Sequence, residues 1–248
     1  MKTMFLSPLL GVAVLATFST HAATQENPKE PLTGNAKLGF LYSKSDETST
    51  SLNSGFDVTY KPSEFAHEFR ANTFYTHSTD DDDGVNRYGV GYKLSFDLSD
   101  KTAVFLDNEY RHTQYQTYRQ TYISTLGLER HLVDTKLSQL TVGGGPGYRY
   151  TQRQMDDDDY PNQKVSEAIA NAFIKGKTHL TANLTVGGDA SVDYGDSNTS
   201  YNLGANVTNK LVDNIALVLD TRYIYNTDVA SDDSHDEVYS SVNLTYAF

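Results

Sequence analysis

The chain contains no cysteine, no tryptophan and few basic residues. Without cysteine there is no disulfide framework and no thiolate metal site. Because acidic residues outnumber basic ones 32 to 20, the net charge is −12, which argues against a nucleic-acid partner, since such a protein needs a basic face. Beyond the N-terminal segment there is no apolar run of about 18 residues, so a membrane-spanning helix is not expected.

The N-terminal segment has the layout of a secretory signal peptide. It carries one lysine, an apolar run from Met4 to Phe18, and a small-residue site ending at Ala22. We therefore expect residues 1–22 to be removed on export. Pro28 and Pro31 then suit an extended lead over residues 23–35.

Alternation of apolar and polar residues with a period of two runs through the rest of the chain and predicts twelve strands. The last segment, VYSSVNLTYAF, alternates to its final residue. The eighth segment, KVSEAIANAFIKGK, is the least typical, because its Ala, Glu and Lys would also suit a helix. Connections after even strands are predicted to be tight turns, including Lys175–Lys177. Those after odd strands are predicted to be longer and mostly acidic, including Gly187–Asn198.

This layout is typical of a bacterial outer-membrane barrel. We predict an all-β fold over residues 36–248. It is a single transmembrane antiparallel β-barrel of about 12 strands, with short periplasmic turns, long acidic extracellular loops and both termini periplasmic. A soluble barrel shows the same alternation with its apolar side inward. Charges and glycines crowded at mid-strand on the polar face favour a wet lumen and an apolar face against lipid.

The polar face carries nearly equal numbers of acidic and basic residues, which predicts internal ion pairs that narrow the bore. Twelve strands lie between the roughly 8 that side chains can fill and the roughly 16 that leave an open channel. A narrow or gated pore follows. The predicted lumen charges are Lys37, Asp57, Glu68, Arg70, Arg87, Lys93, Asp97, Asp107, Glu109, Arg111, Glu129, Arg149, Asp220 and Arg222.

The C-terminal strand is predicted to close the barrel. Open strand edges in lipid would leave backbone groups unpaired at several kcal/mol each, so the last strand must pair with the first. Leu244, Tyr246 and Phe248 fall on the lipid face. They resemble the C-terminal signal that the barrel assembly machinery reads.

Several stretches resemble the salt-induced outer-membrane protein family, whose YdiY-like domain has no assigned function. They are LTVGGGPGYRYTQ (Leu140–Gln152), YRQTYISTLGLERHL before it, and GFLYSKSDETSTSLNSGFDVTYK upstream. The resemblance implies an outer-membrane location and a link to osmotic or ionic stress. It implies no catalytic residue and no substrate.

The GGGPG run (Gly143–Gly147) superficially resembles a phosphate-binding loop. Such a loop needs a following helix that opens with Lys and Ser or Thr, whereas here the glycines continue into another strand half. The alternative is a stripe without side chains on the lumen face, which permits strong curvature or the close approach of facing side chains.

Two acidic runs are weak candidates for binding Ca²⁺ or Mg²⁺, which prefer carboxylate oxygens. Neither run fits the EF-hand spacing. The alternatives are a diffuse acidic crown that concentrates divalent cations and a solvated loop with no ligand. The residues are Asp80, Asp81, Asp82, Asp83, Asp156, Asp157, Asp158 and Asp159.

Two function classes follow, and neither needs a cofactor. One is a narrow channel for ions or small polar solutes. The other is a non-conducting structural or stress-response envelope protein whose acidic loops meet lipopolysaccharide through divalent cations. An outer-membrane hydrolase is not expected, because the scattered histidines show no nucleophile signature. The expected partners are outer-membrane lipid, lipopolysaccharide and the barrel assembly machinery.

Overall fold

The computed structural model describes residues 31–44, 48–78, 86–114, 116–155, 157, 159–231 and 233–248. Twelve antiparallel strands form a closed barrel in chain order, and β1 pairs with β12. This confirms the predicted twelve-stranded all-β barrel. The strands are β1 (Leu32–Lys44), β2 (Thr48–Tyr60), β3 (Phe65–Ser78), β4 (Asn86–Ser99), β5 (Thr102–Thr113), β6 (Tyr118–Asp134), β7 (Ser138–Arg153), β8 (Lys164–His179), β9 (Leu184–Tyr194), β10 (Thr199–Val212), β11 (Ile215–Asn226) and β12 (Asp236–Ala247).

Several sequence-based predictions fall outside the described residues. They are the signal peptide, most of the N-terminal lead, and the acidic residues Asp80–Asp83, Asp156 and Asp158. Within the described ranges there is no helix long and apolar enough to cross a membrane.

The two ends of the barrel carry different connections. At one end, here called the turn end, lie the chain's last residue and the links at 61–64, 100–101, 135–137, 180–183 and 213–214. At the other, here called the loop end, lie the links that follow odd strands. These include 154–163 and 227–235. The predicted asymmetry between short turns and long loops therefore holds only in part, because the links 114–117 and 195–198, which follow odd strands, are as short as the longest turns.

The strands alternate between an apolar outer face and a polar inner face. On β4, Val90 is 42% exposed whereas Lys93, on the opposite face, is 3% exposed. Outward Leu203 and Leu244 are each 52% exposed. An exterior of exposed aliphatic side chains around a polar interior is the arrangement of a transmembrane barrel.

Aromatic rings form groups near both ends of the outer surface. Near the turn end, Tyr60 and Tyr92 flank His67, and the Tyr92 hydroxyl lies 2.9 Å from His67 Nδ1. Near the loop end, Tyr88 stacks on His112 with ring centroids 4.8 Å apart. Such girdles suit rings that have an apolar body and a polar tip at a membrane interface.

The predicted boundaries around β8 and β9 are wrong. Lys175–Lys177 lies inside β8, and the turn that follows occupies residues 180–183. Most of Gly187–Asn198 belongs to β9, which leaves a connection of only residues 195–198 before β10. Local Gly and Asp content indicated turns, but pairing with β8 and β10 along the whole segment overrides that preference. The atypical eighth segment is a regular strand.

The glycine run lies within β7, and no helix follows it. A Cβ atom on Gly143 would lie 2.6 Å from the Phe173 ring, and one on Gly127 of β6 would lie 2.7 Å from the Phe105 ring. The two glycines therefore make room for inward aromatic rings. This agrees with the close-approach interpretation of the run and not with a phosphate loop.

The seam between β1 and β12 is paired over only part of its length. Five residue pairs join the strands, from Asn35 with Ala247 to Gly39 with Asn243, whereas thirteen pairs join β1 to β2. At the turn end, Gly34 N donates to the Phe248 carbonyl at 2.8 Å and Phe248 N donates to the Gly34 carbonyl at 3.0 Å. The final residue therefore takes part in barrel closure.

A buried hydrogen bond between two asparagine side chains lies where this pairing ends on the side of the loop end. The Asn243 side chain is 1% exposed and accepts a hydrogen bond from Asn53 Nδ2 of β2 at 3.0 Å. It crosses β1 at Gly39, where a Cβ atom would clash with Asn243. In the described part of the chain, no residue pair joins β1 to β12 beyond this point.

Candidate functional site

The barrel interior contains the sequence-predicted charges. Because side chains alternate along each strand, the predicted lumen residues face inward, opposite the exposed aliphatic residues. Glu68 lies opposite Lys93 in the β3–β4 register, and Asp220 lies opposite Asn206 and Ser241. Neither Glu68 nor Asp220 forms an ion pair with another described residue.

Ion pairs in the middle of the interior are partly exposed to solvent. Arg70 Nη2 lies 2.7 Å from Asp107 Oδ1, and their side chains are 36% and 28% exposed. Arg222 Nη2 lies 3.4 Å from Asp189 Oδ1, with side chains 41% and 37% exposed. Charged side chains inside a closed barrel keep this exposure only where the interior has room for water.

One wall of the interior holds a compact aromatic and charged cluster. Lys93 Nζ lies 2.6 Å from Glu129 Oε2, and both side chains are buried. The same ammonium lies 4.8 Å from the Phe105 ring centroid and 5.7 Å from that of Phe173. The two rings meet edge to face, which adds to the stability of the cluster. Lys175 approaches Glu129 at 4.0 Å and remains exposed.

Nearer the loop end, Arg149 fixes a connection to the wall. Its side chain is 2% exposed, and its Nη2 donates to Glu167 Oε1 at 2.5 Å and to the Asn198 carbonyl. Glu167 also accepts from the Ser197 amide at 2.8 Å and from the Ser197 hydroxyl at 2.5 Å. The pair thus ties the 195–198 connection to β7 and β8.

Residues 227–231 and 233–235, here called the mouth segment, bridge the loop end. The Thr117 hydroxyl donates to Asp233 and accepts from the Ala230 amide at 3.1 Å. The Tyr118 hydroxyl donates to the Asp228 carbonyl at 2.9 Å. Ala230 is 4% exposed. The segment is therefore held against the connection between β5 and β6.

Arg153 joins the mouth segment to the 154–163 loop. Its Nη1 lies 2.9 Å from Asp157 Oδ2, and its Nη2 lies 2.5 Å from Asp228 Oδ2. Its guanidinium also packs between the rings of Tyr118 and Tyr160, at 5.6 Å and 5.2 Å from their centroids. One buried arginine thus holds both loops.

Asp157 and Asp159 of the 154–163 loop have specific hydrogen-bond partners. Asp157 Oδ1 accepts from the Asp159 and Tyr160 amides at 3.0 Å and 2.7 Å. Burial opposes ionisation of Asp157, but the hydrogen bonds from the Tyr160 amide and Arg153 outweigh it and lower the pKa of this carboxyl. Asp159 Oδ2 accepts from the Ser231 amide at 3.0 Å. Within the described residues, no group of three or more acidic or histidine side chains could hold a metal ion.

Several functional residues were missed from the sequence. Glu167 and Lys175 lie in the strand with mixed propensity, and Asp189 and Asp193 lie in the segment predicted to be a loop. Glu237, at 3.6 Å from Arg87 Nη1, lies at the start of β12 and was not among the predicted lumen charges. Strict period-two extension of β8, β9 and β12 would have placed each of them on the inner face.

Comparison with known families matches residues 36–248 to the family described as "Protein of unknown function, DUF481". Among curated relatives, the chain is 26% identical over 122 residues to the "Uncharacterized protein YdiY" of Escherichia coli (strain K12). That match covers 49% of this chain and 48% of the relative, so it spans about half the length of the relative.

Solved structures with a similar outline are outer-membrane proteins. The NanC porin shares 12% identity and a TM-score of 0.49, covering 86% of this chain and 97% of the porin. An outer membrane channel from Pseudomonas putida F1 shares 10% identity and a TM-score of 0.48, covering 90% of this chain and 99% of the channel. These low scores support no statement about the activity of this chain.

Proposed function

Since the chain belongs to the DUF481 family, whose description assigns no activity, we propose from its geometry that it is an outer-membrane barrel. We further propose that its narrow, charge-paired interior conducts ions or small polar solutes. The carrying observation is the exposure of the mid-barrel pairs, since Arg222 and Asp189 are 41% and 37% exposed although they lie inside the barrel. A dry, filled interior would bury them. Water beside paired charges provides a polar path through the apolar membrane.

The location follows from the two faces of the strands. Exposed aliphatic side chains outside, aromatic groups near both ends and charged side chains inside suit a barrel in a lipid bilayer. Backbone pairing between neighbouring strands, complete except in the loop-end part of the β1–β12 seam, is what a bilayer requires of a spanning sheet. By this proposal the turn end is periplasmic and the loop end extracellular. The link to salt stress, implied by the resemblance in the sequence, belongs to the same proposal.

A second candidate is a non-conducting envelope protein, and the mouth segment favours it. Hydrogen bonds from Thr117 and Tyr118 and the Arg153 pair fix this segment over the loop end. If that closure is permanent, the acidic loops would instead contact lipopolysaccharide through divalent cations.

Planar-bilayer recording of the folded full chain separates the two candidates. We expect small single-channel currents. Arg70→Ala leaves Asp107 without its partner inside the bore, and we expect it to shift ion selectivity towards cations. Lys136→Ala, in an exposed turn, is the matched control and should leave selectivity unchanged. Folded wild-type protein that passes no current would reject the channel and favour the envelope role.

A further inference from the structure

A small cavity lies inside the barrel beneath the mouth segment. Its volume is about 50 Å³, and inward side chains of β4 to β7 and β10 to β12 line it. Val229 and Ser234 of the mouth segment and Thr117 of the β5–β6 connection line it on the side of the loop end. The interior therefore has a chamber distinct from the exposed mid-barrel pairs.

Three arginines converge on this cavity from three different strands. Arg87 comes from β4, Arg111 from β5 and Arg149 from β7. Glu237 is the only acidic residue among the described residues that line it. Arg111 donates from Nε to Glu109 Oε1 at 2.6 Å. Its guanidinium makes no hydrogen bond to any other described residue, which leaves most of its five N–H donors available.

Hydroxyl groups line the same cavity. Thr113, Thr151 and Ser200 are 8%, 5% and 9% exposed. Their hydroxyls form no hydrogen bond to another residue in the described part of the chain and are not fully enclosed, so water in the cavity can reach them. Each hydroxyl can therefore donate to a polar occupant of the cavity.

From these two observations we propose that the cavity binds one small tetrahedral oxyanion, such as inorganic phosphate or sulfate. Guanidinium groups match the oxygens of such ions in fork geometry, and hydroxyls can donate to the remaining oxygens. The volume agrees with this ligand. One water needs roughly 10 to 15 Å³ on this scale, so the cavity holds the equivalent of roughly three to five waters, a range that includes the four oxygens of the ion.

The carboxylates near the cavity position its arginines and do not compete for the ion. Glu237 approaches Arg87 at 3.6 Å and accepts from the Tyr239 hydroxyl at 2.5 Å, so its charge is already compensated. Glu167 holds Arg149, and Glu109 holds Arg111, without lining the cavity. Arginines fixed in this way need little reorganisation to receive an anion.

The site gives the proposed channel a substrate class, and its role in transport rests on that proposed function. An anion entering from the loop end would pass this chamber before it reaches the mid-barrel pairs. Binding itself does not depend on conduction, because the cavity is part of the folded barrel.

Calorimetric titration of the folded full chain in detergent tests the site. We expect saturable binding of one inorganic phosphate or sulfate per chain. Arg111→Gln should weaken it at least tenfold, since a charged donor pair is lost. Arg130→Gln removes an exposed arginine of the outer face and should bind like the wild type. If Arg111→Gln does not fold, Thr151→Val removes one of the hydroxyls that line the cavity and should weaken binding several-fold.

Two results would overturn the assignment. They are the absence of saturable binding by the folded wild type, and undiminished binding by the folded Arg111→Gln or Thr151→Val variant. Bilayer recording separates this test from the channel proposal. Phosphate binding without current leaves the site standing and rejects the channel, whereas current without binding does the reverse.

Discussion

The loop end and the middle of the interior both contain pairs of arginine and a carboxylate, but the pairs are buried at the loop end and exposed to solvent in the middle. Near the loop end, Arg149 with Glu167 and Arg153 with Asp157 are almost fully buried. In the middle, Arg222 with Asp189 and Arg70 with Asp107 retain between 28% and 41% exposure. A buried pair fixes loops because neither partner can be left alone in a dry site. An exposed pair contributes little to stability and remains adjacent to water.

The largest expected effect comes from breaking one pair of each kind. Glu167→Ala leaves Arg149 charged and buried, and we expect it to reduce the free energy of unfolding by about 3 to 5 kcal/mol. Asp189→Ala removes the partner of exposed Arg222 and should cost about 0 to 1 kcal/mol. Urea titration in liposomes measures both. Equal losses would show that the two regions do not differ in the way their exposure indicates.

A methyl group added to an inward-facing glycine should distinguish a tightly packed part of the barrel wall from a part that faces open space. Gly143→Ala places a methyl group 2.6 Å from the Phe173 ring, which is packed against Phe105, and we expect it to cost about 1 to 3 kcal/mol. The atoms nearest to a methyl group introduced by Gly91→Ala belong to the Arg70 guanidinium, at 3.0 Å, and that side chain can move. Its cost should stay within about 0.5 kcal/mol. The same titration decides, and similar costs would mean that the region around Arg70 is as tightly filled as the wall.

Weakening the contacts that hold the mouth segment should make the loop end as accessible to water as the middle of the interior. Asp228→Asn removes the charge that pairs with Arg153. Because the Asp228 side chain is 45% exposed, we expect the free energy that favours the closed mouth segment to fall by about 1 kcal/mol. That corresponds to roughly a fivefold rise in the open population. Bilayer recording should show longer open times, with Asp196→Asn in a neighbouring connection as the control. Unchanged gating would mean that the segment does not limit the current.

The smallest expected effect depends on pH. The folded-state pKa of Asp157 is lowered, so its contribution to stability is complete above its unfolded pKa. It is lost as the pH falls below the ordinary value of 3.8 and through the folded value. Proteolysis of the 154–163 loop should therefore accelerate at about pH 3 relative to pH 6, measured with an acid-tolerant protease. Asp157→Asn should abolish most of this dependence, and a variant with the wild-type profile would contradict the assignment.

The sequence was sufficient for the barrel and for the sense of its two faces. Period-two alternation depends only on strand geometry, so it placed Val90 outside and Arg149 inside without knowledge of their partners. It did not predict the partner of Arg149. Glu167 lies in a segment of mixed propensity, and an ion pair across strands depends on register, which no local pattern encodes.

The loop-end chamber was equally beyond a sequence-based prediction. Arg87, Arg111 and Arg149 were each predicted to face the lumen, but their convergence depends on the tilt of three strands and on the fold of the mouth segment. Asp157 shows the opposite limit. The acidic run was a weak candidate for binding cations, whereas the Asp157 carboxylate accepts hydrogen bonds from the nearby Tyr160 amide and Arg153.

The partial seam between β1 and β12 makes one end of the barrel easier to deform than the other. Between Gly39 and the turn end the wall is continuous, and a change in circumference there would break backbone hydrogen bonds. Between Gly39 and the loop end, the wall can widen or narrow at the seam without breaking any β1–β12 pair among the described residues. The rim that carries the mouth segment is thus the deformable end of the cylinder, and the rim closed by Phe248 is the rigid one.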